Sequence, residues 1–548
     1  MIPARPDDPS PAAAGDLGPG DTGRVNGDLR GTAERWLAED PDPVTRDELR
    51  ALLDAGDEAA VAERFAGRLA FGTAGLRGPL RAGPNGMNRA VVRRTAAGLA
   101  AWLTRTAAPG PVVIGYDARH GSAEFAADSA AVLAGAGLEA RLLPAPLPTP
   151  VLAHAVRLLR AAAGVMVTAS HNPPQDNGYK VYSSDGAQIV PPVDAGIEAA
   201  IEAVGPLSTV AMSYGYEVLG DEVLESYLDA VAAVPRTEHR RIRTVHTALH
   251  GVGAAVLHDA FARAGFEPPV PVTEQAEPDP DFPTVPFPNP EEPGALDLAL
   301  DLAERTGADL LLASDPDADR CAVAIPDDTG WRTLSGDELG ILLADHLIRT
   351  GRTGTYATTI VSSSLLGALC AARGVPFGET LTGFKWIVRA ADDLAFGYEE
   401  ALGYCVLPDA VRDKDGISAA LLAADLAAAL KAGGQTLRDR LDELAAEFGV
   451  HATAQVSVRV ADLSRIADTM AALRADPPAT LLGRAATAED LLPDADVLRL
   501  RADGVRVVVR PSGTEPKLKA YLEVVTTSRE TAATELDRVR KELDPRLR

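Results

Sequence analysis

The sequence is short of cysteine, of positive charge and of long apolar runs, and each shortage excludes something. Only Cys321, Cys370 and Cys405 occur in 548 residues. They have no CxxC spacing, so neither a disulfide framework nor a zinc site is expected, and a reducing, cytoplasmic setting is the simpler reading. Lys and Arg number 53 against 78 Asp and Glu, a formal net charge of −25. A general nucleic-acid binder needs a basic surface to neutralise phosphates, so that class is set aside. An anionic substrate is still allowed, provided that cations are gathered locally against the global field. No stretch of 18 uninterrupted apolar residues occurs, so no membrane span is expected. The opening MIPARPDDPSPAAAGDLGPGDTG has no apolar core run and does not read as a secretory signal.

What is there is the material of an ordinary folded protein, with 46% hydrophobic and 24% charged residues. The length calls for about three to five domains. Residues 1–28, rich in Pro, Gly, Ala and Asp, read as a flexible tail. Helical patterning follows from Arg35 through Leu69, and then FGTAGLRG at 71–78, a Gly-rich turn carrying Arg77. From about 88 to 205, helix-like and strand-like stretches alternate, which predicts a mainly parallel sheet covered by helices. The pattern restarts at 241–251, 268–273 and 308–320, and again at 355–366 with the stretches after it. Three copies of one α/β unit are therefore expected, each with apolar strands running into polar loops. The Pro-rich stretch at 277–294 reads as a long irregular connection over the surface. After Val450, VSVRV, VLRLRADGVRVVVRPSG and AYLEVV read as an antiparallel sheet with a terminal helix, a smaller α+β domain.

Four loops carry chemistry. TASHNP at 168–173 delivers Ser170 from a strand into a turn, with His171 beside it. In an open α/β sheet ligands gather at the carboxyl ends of strands, so Ser170 can be a nucleophile or phosphoryl carrier. Taken alone, the loop reads rather as a turn whose side chains satisfy backbone groups. DPDADR at 315–320 alternates Asp315, Asp317 and Asp319 between buried strands. Three close carboxylates repel unless a cation sits among them, and hard oxygen ligands suit Mg²⁺. An EF-hand fails, because its sixth position is Arg320 rather than Gly and its twelfth is Pro326 rather than Glu. The other reading of this loop is an acidic polar turn.

GYEEALGY at 397–404, after LTGFKWI at 381–387, offers acidic side chains to sugar hydroxyls and Lys385 to a phosphate. It also reads as a solvated helix start. RPSGTEPKLK at 510–519 sets Arg510, Ser512, Thr514 and Lys517 around Gly513. A guanidinium, two hydroxyls and freed backbone N–H groups make a nest for a phosphate monoester, and a basic β-turn is the alternative.

In this order, the loops resemble those of the α-D-phosphohexomutase superfamily, the phosphoglucomutases and phosphomannomutases, from about residue 35 to the end. FGTAGLRG, NGYK at 177–180, TGFKWI, GYEEALGY and RDKDG at 412–416 resemble the branch of phosphoglucomutase-2-type enzymes and phosphopentomutases. The resemblance implies three similar α/β domains with mixed, mainly parallel sheets and a C-terminal α+β domain around a central cleft. Their expected limits are 29–210, 211–332, 333–450 and 451–548.

It also implies roles. Ser170 would be the phosphoserine, and Mg²⁺ would be held by its phosphate with Asp315, Asp317 and Asp319. Arg320 would contact substrate, Glu399 would bind sugar hydroxyls, and Arg510, Ser512, Gly513 and Thr514 would bind the substrate's own phosphate. Arg77, His171 and Lys180 would lie near the transferred phosphate, with His171 and Lys180 as candidates to shuttle the hydroxyl proton, and Lys385 would face the sugar or its phosphate. The implied enzyme is an isomerase, a monomer or homodimer, acting on small sugar phosphates through a sugar bisphosphate of the glucose 1,6-bisphosphate type. One departure stands out. Many hexomutases carry Glu-x-Ser in the sugar loop, whereas this chain has Glu399-Glu400-Ala401, without the hydroxyl. The competing readings are a phosphopentomutase, a metal-dependent phosphatase with a covalent phosphoserine, and a non-catalytic sugar-phosphate sensor.

Overall fold

A computed structural model describes residues 28–72, 75–328, 330–460, 464–512 and 517–547. The tail expected at 1–28 lies outside these residues except for Asp28. The helical patterning from Arg35 to Leu69 resolves into three helices, Leu29–Glu39, Pro43–Ala55 and Glu58–Arg64. Local chemistry makes the breaks. Asp42 caps the second helix with Pro43 at its first turn, Gly56 ends it at φ +68°, and Asp57 caps the third.

The next three units share one plan. In the first, strands Val112–Tyr116, Ala140–Leu142 and Ala163–Val167 are parallel, and Asp176–Ser183 returns antiparallel to the third. In the second, Thr244–Thr247, Val270–Pro271 and Leu310–Ser314 are parallel and Cys321–Asp327 returns. In the third, Thr355–Thr359, Phe377–Thr380 and Leu394–Glu399 are parallel and Gly403–Cys405 returns. Each sheet thus contains the order fourth, third, first, second. The hairpin between third and fourth strands falls at TASHNP, at DPDADR and at the Glu400–Leu402 turn. Each hairpin bears one non-glycine residue in the left-handed region: Ser170 (φ 53°), Ala318 (φ 53°) and Leu402 (φ 62°). Such a conformation costs about 1–3 kcal/mol and persists where surrounding contacts over-determine it.

One continuous apolar core joins these units, from Val113 and Met166 through Leu312 and Phe396 to Leu421. At its centre lies the helix Gly416–Ala432, rich in Ala and Leu and buried nearly all round. Asp415 caps it by accepting from the Ile417 and Ser418 amides. Its first residue must be glycine, since a Cβ at Gly416 would lie 2.3 Å from the Arg320 carbonyl oxygen.

The fourth unit is an antiparallel sheet in the order Val450–Arg459, Lys517–Thr526, Val505–Pro511, Leu498–Ala502, Thr487–Asp490. Helices Ser464–Ala475 and Arg529–Leu547 cover it around a separate core. The Pro-rich connection forms no regular element between Ala276 and Asp297. It is more than a surface strap, because its Phe282 and Val285 are buried with Leu249 and Ala295.

Candidate active site

The hairpins of the first and second units meet face to face. The Ser170 hydroxyl donates to Asp315 Oδ2 (2.9 Å) and lies 3.2 Å from His171 Nδ1. The Ser170 amide donates to Thr168 Oγ1 (2.8 Å). Lys180, on the return strand of the first unit, donates to Asp317 Oδ2 (2.7 Å) and Asp319 Oδ2 (2.9 Å). Thr149 donates to Asp317 twice, by its hydroxyl to Oδ2 (2.7 Å) and by its amide to the carbonyl (2.9 Å). Arg77 reaches Asn172 Oδ1 at 3.3 Å. Ser170, Lys180 and the three aspartates are buried, while Arg77, His171 and Arg320 are half-buried.

The Asp loop is gripped from three other sides. The Val252 amide donates to the Pro316 carbonyl, the Gly416 amide to the Ala318 carbonyl, and the Cys321 amide to the Leu402 carbonyl. From the third unit Lys414 forms an ion pair with Asp319 at 3.0 Å. Lys414 and Thr149 were missed as individual residues. Lys414 stood inside the quoted RDKDG, whereas nothing in the sequence marked Thr149.

The electrostatics are uneven. Burial and the two neighbouring carboxylates push Asp315 well above the usual carboxylate range. Burial would also raise Asp319, but Lys180, Lys414 and Arg320 overcome it and hold Asp319 low. Burial opposes the charge on Lys180, yet Asp317 and Asp319 together raise it and keep it an ammonium. Burial, with Arg320 and Arg77 nearby, drives His171 well below its usual value, so its ring is neutral at pH 7.

The residues present fit a hard divalent cation. One oxygen each from Asp315, Asp317 and Asp319 lies within 4.8 Å of the others. Asp317 Oδ1 and Asp319 Oδ1 are buried without a hydrogen-bond partner. A buried carboxylate oxygen is costly in that state, and an all-oxygen donor set suits Mg²⁺.

A cavity of about 500 Å³ lies between the second, third and fourth units, bounded by Glu291, Asp337, Glu400, Thr453 and Tyr521. Glu400 accepts from the hydroxyls of Ser362 (3.0 Å) and Thr359 (3.3 Å). Burial, Glu399 and Asp337 push it up to about 7. Burial raises Glu399 also, against the pull of Lys414 and Arg320. Arg320 Nη1 lies 3.6 Å from Glu291 in the Pro-rich connection. Arg510 Nη1 donates to the hydroxyl of Tyr521 (3.4 Å), a residue that lines this cavity. Ser512 donates its amide to the Lys517 carbonyl (2.8 Å). Gly513 and Thr514 lie outside the described residues. Lys385, expected to face the sugar or its phosphate, lies on the short helix Phe384–Ile387 of the third unit. It sits 6.0 Å from its neighbour Trp386, and burial lowers it, offset in part by Asp194.

This arrangement has relatives. Phosphoglucomutase/phosphomannomutase alpha/beta/alpha domain I matches residues 68–207, domain II 225–330, domain III 335–448 and the C-terminal domain 456–542. A "Probable phosphomannomutase" of Haemophilus influenzae is 47% identical over 476 residues, 84% of this chain and 97% of the relative. A "Phosphopentomutase" of Mus musculus is 34% identical over 573 residues, 93% of this chain and 92% of the relative. The fold is shared with a phosphoglucomutase/phosphomannomutase family protein from Burkholderia thailandensis (TM-score 0.69, 20% identity, 87% of this chain and 97% of that one). The chain therefore belongs to the phosphoglucomutase/phosphomannomutase family, phosphosugar mutases that act as intramolecular phosphotransferases.

Proposed function

We propose that the protein moves a phosphoryl group between the 1- and 6-positions of a hexose phosphate, with Ser170 as the covalent carrier. The observation that carries this reading is the Ser170 hydroxyl 2.9 Å from Asp315, beside two buried aspartate oxygens that lack partners. Asp315, Asp317 and Asp319 would hold Mg²⁺, which when bound would offset the charge of a phosphoserine and of the transferring group.

The cycle starts from phospho-Ser170. A sugar monophosphate docks with its own phosphate toward Arg510 and Ser512, and with its hydroxyls toward Glu399. Gly513 and Thr514 complete that proposed phosphate nest. The free sugar hydroxyl attacks phosphorus, its new O–P bond forms, and the bond from phosphorus to Ser170 Oγ breaks. The hydroxyl proton passes to His171, whose neutral ring can accept it. Lys180, held as an ammonium by Asp317 and Asp319, and Arg77 balance negative charge and do not act as bases. The sugar bisphosphate then turns over, Ser170 Oγ attacks its other phosphorus, the bond from that phosphorus to the sugar oxygen breaks, and the freed sugar oxygen takes the proton back from His171. Arg320 contacts substrate in both orientations, and Lys385 faces the sugar end from the third unit.

Turnover requires access to a buried serine. The fourth unit meets the third through polar contacts, Glu523 with Ser363 (2.8 Å), Thr453 with Asp337 (2.9 Å) and Arg499 with Glu379 (2.7 Å). The apolar cluster between them is small: Ile360, Val361, Val497, Val508 and Tyr521. Such a junction suits a hinged fourth unit that admits substrate and then excludes water.

A pentose phosphate is the second reading, supported by the Mus musculus relative and by Ala401, which leaves the sugar loop without a hydroxyl. The deciding experiment compares kcat/KM for glucose 1-phosphate, mannose 1-phosphate and ribose 1-phosphate, with Mg²⁺ and catalytic glucose 1,6-bisphosphate. A hexose preference without phosphate release supports the proposal. A pentose preference replaces its substrate, and steady phosphate release replaces a mutase by a phosphatase.

A further inference from the structure

We propose that Arg119 is a positioning residue for phosphoryl transfer, holding the Ser170 loop toward Asp315, and that Phe282 of the second unit locks Arg119 in place. The proposal rests on the reading of Ser170 as phosphoryl carrier.

Arg119 follows the first strand of the first unit, in the turn after Val112–Tyr116. Its side chain is buried. Nη2 donates to the carbonyls of Ser170 (2.6 Å) and Asn172 (2.5 Å). Nη1 donates to those of Pro173 (2.9 Å) and Asp176 (3.2 Å). Four carbonyls of one loop thus converge on one planar cation. Pro173 and the neighbouring Pro174 have no amide N–H to donate, which limits how the loop can satisfy those carbonyls from within. A guanidinium presents five donors in a rigid fork and can serve both edges of the group, whereas an ammonium has three donors on a point. With its carbonyl held from behind, Ser170 stays in the left-handed conformation that faces its hydroxyl to Asp315 and His171.

The second unit also closes the rear of this arrangement. The Arg119 guanidinium carbon lies 4.9 Å from the centroid of the buried Phe282 ring, in the Pro-rich connection. Beside it, His120 Nε2 meets Asp281 Oδ1 at 2.7 Å. A ring over the guanidinium face removes competing water and strengthens the bonds in its plane. Asp117 adds an ion pair at 3.4 Å and accepts the Arg119 amide at 3.0 Å. The second unit therefore grips the Ser170 loop twice: in front through Asp315, and behind through Phe282 and Arg119. Arg119 touches none of the reacting atoms.

The test uses the full chain with Arg119→Ala, Arg119→Lys and Phe282→Leu. It measures steady-state kcat and KM for glucose 1-phosphate, guanidinium rescue, and phosphorylation of Ser170 by peptide mass spectrometry after incubation with glucose 1,6-bisphosphate. Arg119→Ala is expected to lower kcat about 100-fold, the loss that a displacement near 1 Å brings, with KM within about threefold. Added guanidinium restores part of that loss. Arg119→Lys loses about tenfold and Phe282→Leu about fivefold, both with KM unchanged. Wild-type kcat in Arg119→Ala overturns the proposal. If that variant does not fold, wild-type kcat in both other variants overturns it. Activity that merely tracks the folded fraction, without guanidinium rescue, also overturns it. Wild-type phosphate found on a residue other than Ser170 overturns the carrier reading and the proposal together.

Discussion

The hairpin loop of the first unit and that of the third occupy the same place in the same four-strand plan, yet they are finished differently. Ser170 is buried, its hydroxyl bonds Asp315 of the second unit, and Arg119 of its own unit holds its carbonyl. The Glu399–Leu402 loop borders a cavity of about 500 Å³, and its Glu400 is satisfied by hydroxyls of its own unit. The shared topology supplies a loop at the carboxyl end of a strand, and what packs against that loop decides its use. A locked loop suits a covalent step that needs fixed geometry, while an open one suits recognition of a sugar that must bind in two orientations. If the contrast holds, changes at the first loop lower turnover and changes at the third and fourth units alter affinity and selectivity.

The largest effect is expected at the locked loop. Ser170→Ala should lower kcat by about 10⁴-fold or more, since a covalent carrier has no substitute, while sugar-phosphate binding measured by calorimetry persists. Loss of binding together with turnover would erase the contrast. Next, Asp319→Asn should lower kcat by about 10³-fold, and Mg²⁺ should raise the Tm of the wild type but not of the variant. A Tm response preserved in Asp319→Asn would remove that residue from the cation site.

At the recognition end the effects should be smaller and of another kind. Arg510→Ala should raise KM about 10- to 100-fold with kcat little changed, the value of one charge-assisted hydrogen bond to phosphate. A fall in kcat alone would place Arg510 with the chemistry instead. Ala401→Ser restores a hydroxyl to the sugar loop and should shift the ratio of kcat/KM between hexose and pentose phosphates by about tenfold or less.

The smallest effect concerns stability. Burial and neighbouring acids raise Glu400 from 4.5 to about 7, so the folded state binds its proton more tightly than the unfolded state. That contribution is fully present below pH 4.5 and is lost as pH rises through 7. Glu400→Gln should therefore match the wild type near pH 4 and exceed its Tm by about 2–4 °C at pH 8, read by differential scanning calorimetry. Equal curves at both pH values would mean that the open loop bears no such strain.

Much of this division was legible in the sequence, and for a physical reason. Apolar strands running into TASHNP and DPDADR carry both the strand ends and the chemical groups in one short stretch, so fold and chemistry point to the same residues. The repeated βα pattern likewise announced three copies, although the shared order of strands and the hairpin common to each emerged only in three dimensions. What escaped depends on distant segments. Arg119 lay in a stretch that read as a strand ending in a polar turn, and its four carbonyl partners stand more than fifty residues away. Lys414 reaches Asp319 across two units. Phe282 sat in a Pro-rich run whose composition speaks of surface, and its burial comes from Leu249, Val285 and Ala295.

The central claim is that phosphate passes through Ser170. The direct measurement is a single-turnover experiment in which the enzyme is labelled with ³²P from glucose 1,6-bisphosphate, mapped by peptide digestion and then mixed with unlabelled glucose 1-phosphate. Label is expected on the Ser170 peptide, passing to sugar faster than it is released to water. Label on another residue, or label that leaves Ser170 only as inorganic phosphate, would contradict the claim.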